Sequence, residues 1–260
     1  MTAVPLEKIG NFRDLGGHRT REGRRVRTGR IFRSGHLAAA TDADLETLAG
    51  LGVRVVVDFR GPGDTEAEGQ DRLPAGAEHV QLPMFDPSPK EDIRAIFSTG
   101  DPQVMQDRFG DGQGFEMMRR GAASLVTHPE RCEQFGVMVR RLAAPDGTPA
   151  LIHCSAGKDR TGWAASLMLL ALGVDEDDVI AHYLESNNHR PVLTRDGGRS
   201  PIGGFDMSLL EPFLAVHEDY ARASLDALEA GWGGIDGYLR DGLCLDDELL
   251  ARFRQVMLED

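Results

Sequence analysis

Ala150-Leu-Ile-His153-Cys154-Ser-Ala-Gly-Lys-Asp-Arg160-Thr-Gly162-Trp163-Ala-Ala-Ser-Leu-Met-Leu-Leu-Ala-Leu172 is the stretch from which the fold can be read. It begins as a short apolar strand, turns through a loop of small residues, and continues as a run apolar on nearly every side. Such a run has no face to offer water and must be covered by other elements. A strand feeding a buried helix through a short loop is half of a parallel α/β unit.

The flanking segments repeat the alternation. Ile31-Phe32 forms a short strand ended by Ser34-Gly35, and Thr41 caps a helix whose Leu45, Leu48 and Leu51 share a face. After Gly52, Val53 to Phe59 is a β-branched run of the kind buried on both sides of a sheet. Gly61-Pro-Gly63 breaks it. Val80, Leu82 and Met84 alternate as a third strand that stops at Asp86-Pro87. Pro129 opens a helix with Cys132, Phe135, Val139 and Leu142 on one face, and Pro145-Asp-Gly147 turns the chain back. Asp175 caps another helix, and Leu249, Leu250, Phe253 and Met257 mark a final amphipathic one. Residues 88–127, polar and glycine-rich, read as an insertion or lid. The expected fold is α/β, a central, mainly parallel sheet flanked by helices, with a helical lid and a helical C-terminal region. Residues 1–260 are expected to form one domain.

Composition narrows the function. With 260 residues, 41% hydrophobic and 27% charged, the chain is neither fibrous nor low in complexity. No apolar run reaches the ~20 residues of a membrane-spanning helix, and the N-terminus has no basic stretch leading into an apolar one. The cytoplasm is the expected compartment. A net charge of −13 argues against nucleic acid as a partner. Three scattered cysteines supply neither a disulfide framework nor a zinc pair, and no metal or cofactor is expected.

The chemistry is expected in the loop. A tight strand-to-helix connection points successive amides into one concavity, and the helix start adds its positive dipole end. Ser155, Ala156, Gly157, Lys158, Asp159, Arg160 and Thr161 would line a phosphate cradle of this kind. The same field favours the thiolate of Cys154 at its base, making a nucleophile. Arg160 can fold back and donate two parallel hydrogen bonds to phosphate oxygens. Thr161 can donate its hydroxyl to the sulfur. His153 is expected to orient the loop through its ring nitrogens. The bland reading, a buried inert cysteine beside a glycine turn, gives Arg160 no purpose.

His153-Cys-x-x-Gly-Lys-x-Arg-Thr-Gly162 resembles the phosphate loop of the cysteine-dependent protein tyrosine phosphatase superfamily, in its bacterial tyrosine/serine branch. Asn11-Phe-Arg-Asp14, Gly29-Arg-Ile-Phe-Arg-Ser34, Val57-Asp-Phe-Arg60, Leu82-Pro-Met-Phe-Asp86, Tyr183-Leu-Glu-Ser-Asn187 and Gly237-Tyr-Leu-Arg-Asp241 fit the same branch in order. The resemblance covers most of the chain and fits 88–127 least. It implies metal-free hydrolysis of phosphate monoesters through a phosphocysteine. The substrate would be a phosphotyrosine and also a phosphoserine, phosphothreonine or phosphoinositide, with inorganic phosphate as product. Some similar phosphatases leave the cell without a signal peptide.

Such a reaction needs an acid to protonate the departing oxygen. The resemblance offers two: Asp86, the first choice, after the third strand, and Asp159 inside the loop. A lysine at the position of Lys158 accompanies polyphosphorylated substrates in similar phosphatases; its bland reading is a solvated charge. Arg13, Arg33 and Arg60 are expected to be structural. Phe115, Met117 and Met118 either cover the site or pack the core. Two alternatives remain open at this point. One is a rhodanese-type sulfurtransferase, which needs no such acid; the other is a phosphate-binding module without turnover.

Overall fold

The computed structural model describes residues 6–84, 101–189 and 206–260. Four parallel strands and one antiparallel edge strand make the main sheet, with β1 (Arg13–Asp14), β3 (Ile31–Ser34), β6 (Ala150–His153), β4 (Val55–Asp58) and β5 (Glu78–Gln81) lying side by side in that order. β1 runs against β3, and the other neighbours run parallel. β6 is therefore the central strand, hydrogen-bonded on both edges.

Alternation along the strands divides the core in two, because successive side chains leave opposite faces of a pleated strand. Ile31, Val55, Val57, Ala150 and Ile152 join the larger cluster, whereas Phe32, Val56 and Leu151 join the smaller. The larger is closed by α5 (Pro129–Leu142), α6 (Arg160–Ala171) and α9 (Asp247–Met257). All twelve residues of α6 are buried, as the unbroken apolar run requires. The smaller is closed by α1 (Asp42–Gly50), capped by Thr41 and Asp44 in reciprocal hydrogen bonds.

The third strand ends earlier than the Val80-Leu82-Met84 pattern implies. Leu82 and Met84 are buried beyond it, their amides donating to the carbonyls of Asp58 (2.8 Å) and Phe59 (3.2 Å). Two short segments were not foreseen: β1, and a ribbon of β2 (Arg25–Val26) with β7 (Leu258–Glu259) that joins the chain's two ends. None of these three two-residue strands has enough length for a periodic signal. Of the expected lid, 88–100 lies outside the described residues. The rest forms α3 (Pro102–Phe109) and α4 (Gln113–Thr127), and α4 lies along α8 (Glu218–Trp232). No helix among the described residues is long and apolar enough to cross a membrane.

Candidate active site

Residues 154–159 leave the C-terminal end of the central strand and close onto the start of α6, so the loop sits where parallel strands open a crevice. Its shape follows from where its carbonyls go. His153 Nδ1 lies 3.3 Å from the Cys154 carbonyl, and the His36 amide donates to the Ser155 carbonyl at 3.0 Å. Asn11 Nδ2 donates to the carbonyls of Ala156 (3.3 Å) and Gly157 (2.8 Å). Arg33 Nη2 donates to Gly157 as well, at 2.6 Å. In a trans peptide the N–H points opposite to the C=O. Four carbonyls engaged by outside groups therefore turn the amides of Ser155, Ala156, Gly157 and Lys158 the other way. Gly157 is essential to this turn: its φ is +69°, and a Cβ there would lie 2.1 Å from the Ser34 carbonyl oxygen.

Cys154 and Arg160 are both buried and both face one cavity. Arg160 is fixed by Asp64, which accepts from Nη1 at 2.7 Å, by the Phe59 carbonyl at 3.1 Å, and by Ser155 Oγ, 3.1 Å from Nη2. Asp64 sits at the third position of α2 (Pro62–Glu68), where it also accepts the Gly61 amide at 3.1 Å. One carboxylate thus starts the helix and aims the arginine. Sequence reasoning passed over Asp64, although an acid three residues beyond a Gly-Pro break is a recognisable helix-start signal.

Other expected residues depart from their assignments. Thr161 is fully buried, but its hydroxyl makes no hydrogen bond to Cys154 and has no partner among the described residues. The expected donation to sulfur is not there. Lys158 does not stand free on the rim: Nζ donates to the Phe213 carbonyl and, at 3.3 Å, to that of Ala215. Asp159 lines the cavity with its side chain 38% exposed and lies 3.7 Å from Lys158. Asp86 lies outside the described residues.

Behind the loop, Arg13 and Arg33 serve the scaffold. Arg33 is fully buried, and burial, then the charge of Arg13, hold its pKa well below the usual arginine range. Arg13 donates to the His182 carbonyl and Ser186 Oγ, both at 3.1 Å. Asn11, at φ +57°, accepts from Arg13 and passes the restraint to the loop. Arg60 belongs to a second buried knot. Its Nη2 lies 3.0 Å from Asp58 and 2.8 Å from Asp71, and Asp71 in turn lies 3.0 Å from His153 Nε2. Donor atoms of Asp58, Asp71, His79 and His153 fall within 4.8 Å of one another, a spacing that would suit a cation. The guanidinium of Arg60 already forms ion pairs with both carboxylates there. Burial alone would raise the Asp58 pKa; contacts with His79, His153 and Arg60 outweigh it and bring it below the carboxylate range.

The cavity that Cys154 and Arg160 face extends beyond them into a chamber and measures about 350 Å³ in all. Met117 and Met118 of α4 and Tyr220 of α8 line it, so this part of the apolar patch does cover the loop; Phe115 instead lies 40% exposed against His217. Trp163 of α6 and Ile180 of α7 (Glu176–Leu184) line it too.

A model of the tyrosine phosphatase family matches residues 4–259. The chain belongs to this family. It is 39% identical over 246 residues to a putative tyrosine-protein phosphatase of Cupriavidus necator, a match covering 92% of this chain and 84% of the relative. It is 31% identical over 248 residues to the triple specificity protein phosphatase PtpB of Mycobacterium tuberculosis, covering 85% of this chain and 88% of the relative. The chain is thus a phosphoric monoester hydrolase of the tyrosine phosphatase type, on an α/β fold with a mostly parallel sheet.

Proposed function

We propose that Cys154 is the nucleophile of a phosphatase acting on phosphotyrosine and on phosphoserine or phosphothreonine. The observation that carries this reading is the shared cavity of Cys154 and Arg160, under four amides turned inward. In the first step the thiolate attacks phosphorus, the S–P bond forms, and the P–O bond to the leaving group breaks. A carboxylic acid gives its proton to that oxygen. In the second step water attacks the phosphocysteine and the carboxylate takes a proton. The S–P bond breaks, releasing inorganic phosphate and the thiolate. The loop amides and Arg160 stabilise the charge on the equatorial oxygens in both steps. Asp159 is the acid favoured by its place on the cavity wall beside the nucleophile.

The triple specificity of the PtpB relative is what extends the proposal to phosphoinositides. The knot around Arg60 gives no support to a persulfide enzyme. Such a reaction needs no proton donor on the cavity wall, and Asp159 is there.

Cys154→Ser should abolish turnover of 4-nitrophenyl phosphate while retaining phosphopeptide binding; turnover near wild type would refute covalent catalysis. Asp159→Asn and Asp86→Asn should be compared on an alkyl and a nitrophenyl ester. The acid is the residue whose loss costs about 10²–10⁴ on the poor leaving group and far less on the good one. If Asp86 alone shows that contrast, the role passes to it.

A further inference from the structure

The cavity that starts at the phosphate loop is lined mainly by apolar side chains away from the loop. A cavity of ~150 Å³ lined by aliphatic and aromatic groups is enough to hold benzene. This one measures about 350 Å³. Its polar end is the loop, with Cys154, Ser155 and Arg160. Its far wall is made by Met117, Met118, Leu125, Trp163, Ile180 and Tyr220, drawn from four helices of which two form the roof.

Two further observations say what kind of group the chamber takes. Lys158, the charge best placed to read a second phosphate on a leaving group, is engaged with the carbonyls of Phe213 and Ala215. Two polar side chains on the wall, Ser224 and Tyr220, are also turned away. Ser224 Oγ donates to the carbonyls of Ala122 (3.0 Å) and Tyr220 (3.3 Å), and the Tyr220 hydroxyl donates to the Pro212 carbonyl at 3.2 Å. A polyhydroxylated ring entering the chamber would lose its water and find few partners for its hydroxyls, Trp163 Nε1 and Asp159 among them, a net cost. A hydrocarbon would lose only unfavourable hydration.

We infer that the chamber binds the hydrocarbon of a phosphate monoester bearing an alkyl chain, so that single-chain lipid phosphates form a substrate class of this enzyme. The inference rests on the proposed phosphatase site, since the same Cys154–Arg160 end seats the phosphoryl group. Room for a phosphoryl group and about six to eight carbons puts the chain past the point where a tyrosine ring ends. Chain carbons beyond that length stay in water or in an aggregate.

The test measures binding separately from turnover. Dissociation constants of n-alkylphosphonates from propyl to decyl, each below its aggregation concentration, are obtained by calorimetry on the wild-type chain, with inositol 1-phosphate alongside. Affinity is expected to rise about fourfold per methylene and level off near eight carbons. Octylphosphonate should bind at least tenfold more tightly than inositol 1-phosphate. Ala221→Phe, which puts a ring on the chamber wall, should level the series two to four carbons earlier. Met118→Ala should move the plateau to longer chains, which keeps the test open if the phenylalanine variant does not fold. Equal affinity along the series, or tighter binding of inositol 1-phosphate, overturns the inference. Hydrolysis of 4-nitrophenyl phosphate is measured on the same preparation. Turnover with a flat series removes the chamber assignment alone; a rising series without turnover removes the catalytic reading, and the substrate class with it, and leaves the chamber as a binding site for the chain.

Discussion

Arg160 shows how little of the placement of the proposed phosphate-binding arginine is its own. The side chain leaves the first residue of α6, and three groups from two other segments and from the loop decide where its fork points. Asp64 is the one that can be removed without removing the fork. Asp64→Asn keeps an oxygen able to accept the Gly61 amide, so α2 should still start in place. The charge that holds Nη1 is lost. Because small displacements of a positioning group cost up to ~10²-fold in rate, kcat/KM for 4-nitrophenyl phosphate should fall ten- to a hundredfold. Thermal unfolding should move by only a few degrees. Unchanged kinetics would show that the Phe59 carbonyl and Ser155 suffice. Arg160→Lys should be more severe, since a single ammonium cannot make the two parallel bonds of a guanidinium. Its loss should appear mainly in kcat.

α7 reaches the loop indirectly, through Arg13, which its His182 carbonyl and Ser186 just beyond it receive. The His182 ring is buried against His18, whose Nε2 lies 3.3 Å from His182 Nδ1. Burial, and then the charges of Arg33, Arg13 and His18, push the His182 pKa far below the imidazole range. The linkage follows from that direction. Below the ordinary imidazole value of about 6.5 the unfolded chain binds a proton that the folded chain refuses. Stability from this group is therefore complete above pH ~6.5 and is lost as pH falls, by up to about 1.4 kcal/mol per unit. Urea midpoints at pH 7.0, 6.0 and 5.0 should fall in sequence, and His182→Gln should flatten the decline. An equally steep decline in the variant would place the effect elsewhere. The elements themselves were legible wherever a long pattern met a clear stop. Thr41, Pro129 and Asp175 start helices as their chemistry demands, and α6 is buried throughout because no residue in it could face water. The antiparallel edge strand and the terminal ribbon were not, since two residues carry no period and their pairing is decided by distant chain. Around the site, Cys154, Arg160 and the loop stood out through their spacing together with His153, the glycines at 157 and 162, the strand before and the buried run after. Asp64, the inward turn of the amides and the engagement of Lys158 depend on contacts 55 to 145 residues away, which no local pattern records.

In the molecule as a whole, two regions meet at the chamber with different means of support. The sheet, α5 and α6 share one large core, whereas α4 and α8 pack chiefly on each other and join that core at one end through Leu125, Val126 and Leu228. The roof is tied down at few polar points. Lys158 reaches the Phe213 and Ala215 carbonyls, and Asn187 exchanges two hydrogen bonds with Val216, at 2.8 and 2.9 Å. Segments held by few buried contacts open with less free energy than the core beneath them. Lys158→Met keeps most of the apolar stem and deletes the donors, so it should loosen the roof without touching the sheet. Hydrogen exchange should then speed up by about tenfold or more for amides in 211–217 and at the start of α8, the factor that a net loss of about 1.4 kcal/mol produces. Protection of β3, β6 and α6 should stay as in the wild type. Uniform acceleration across both regions would mean that Lys158 supports the whole fold. No change in 211–217 would mean that the Asn187–Val216 pair and the apolar contacts hold the roof by themselves.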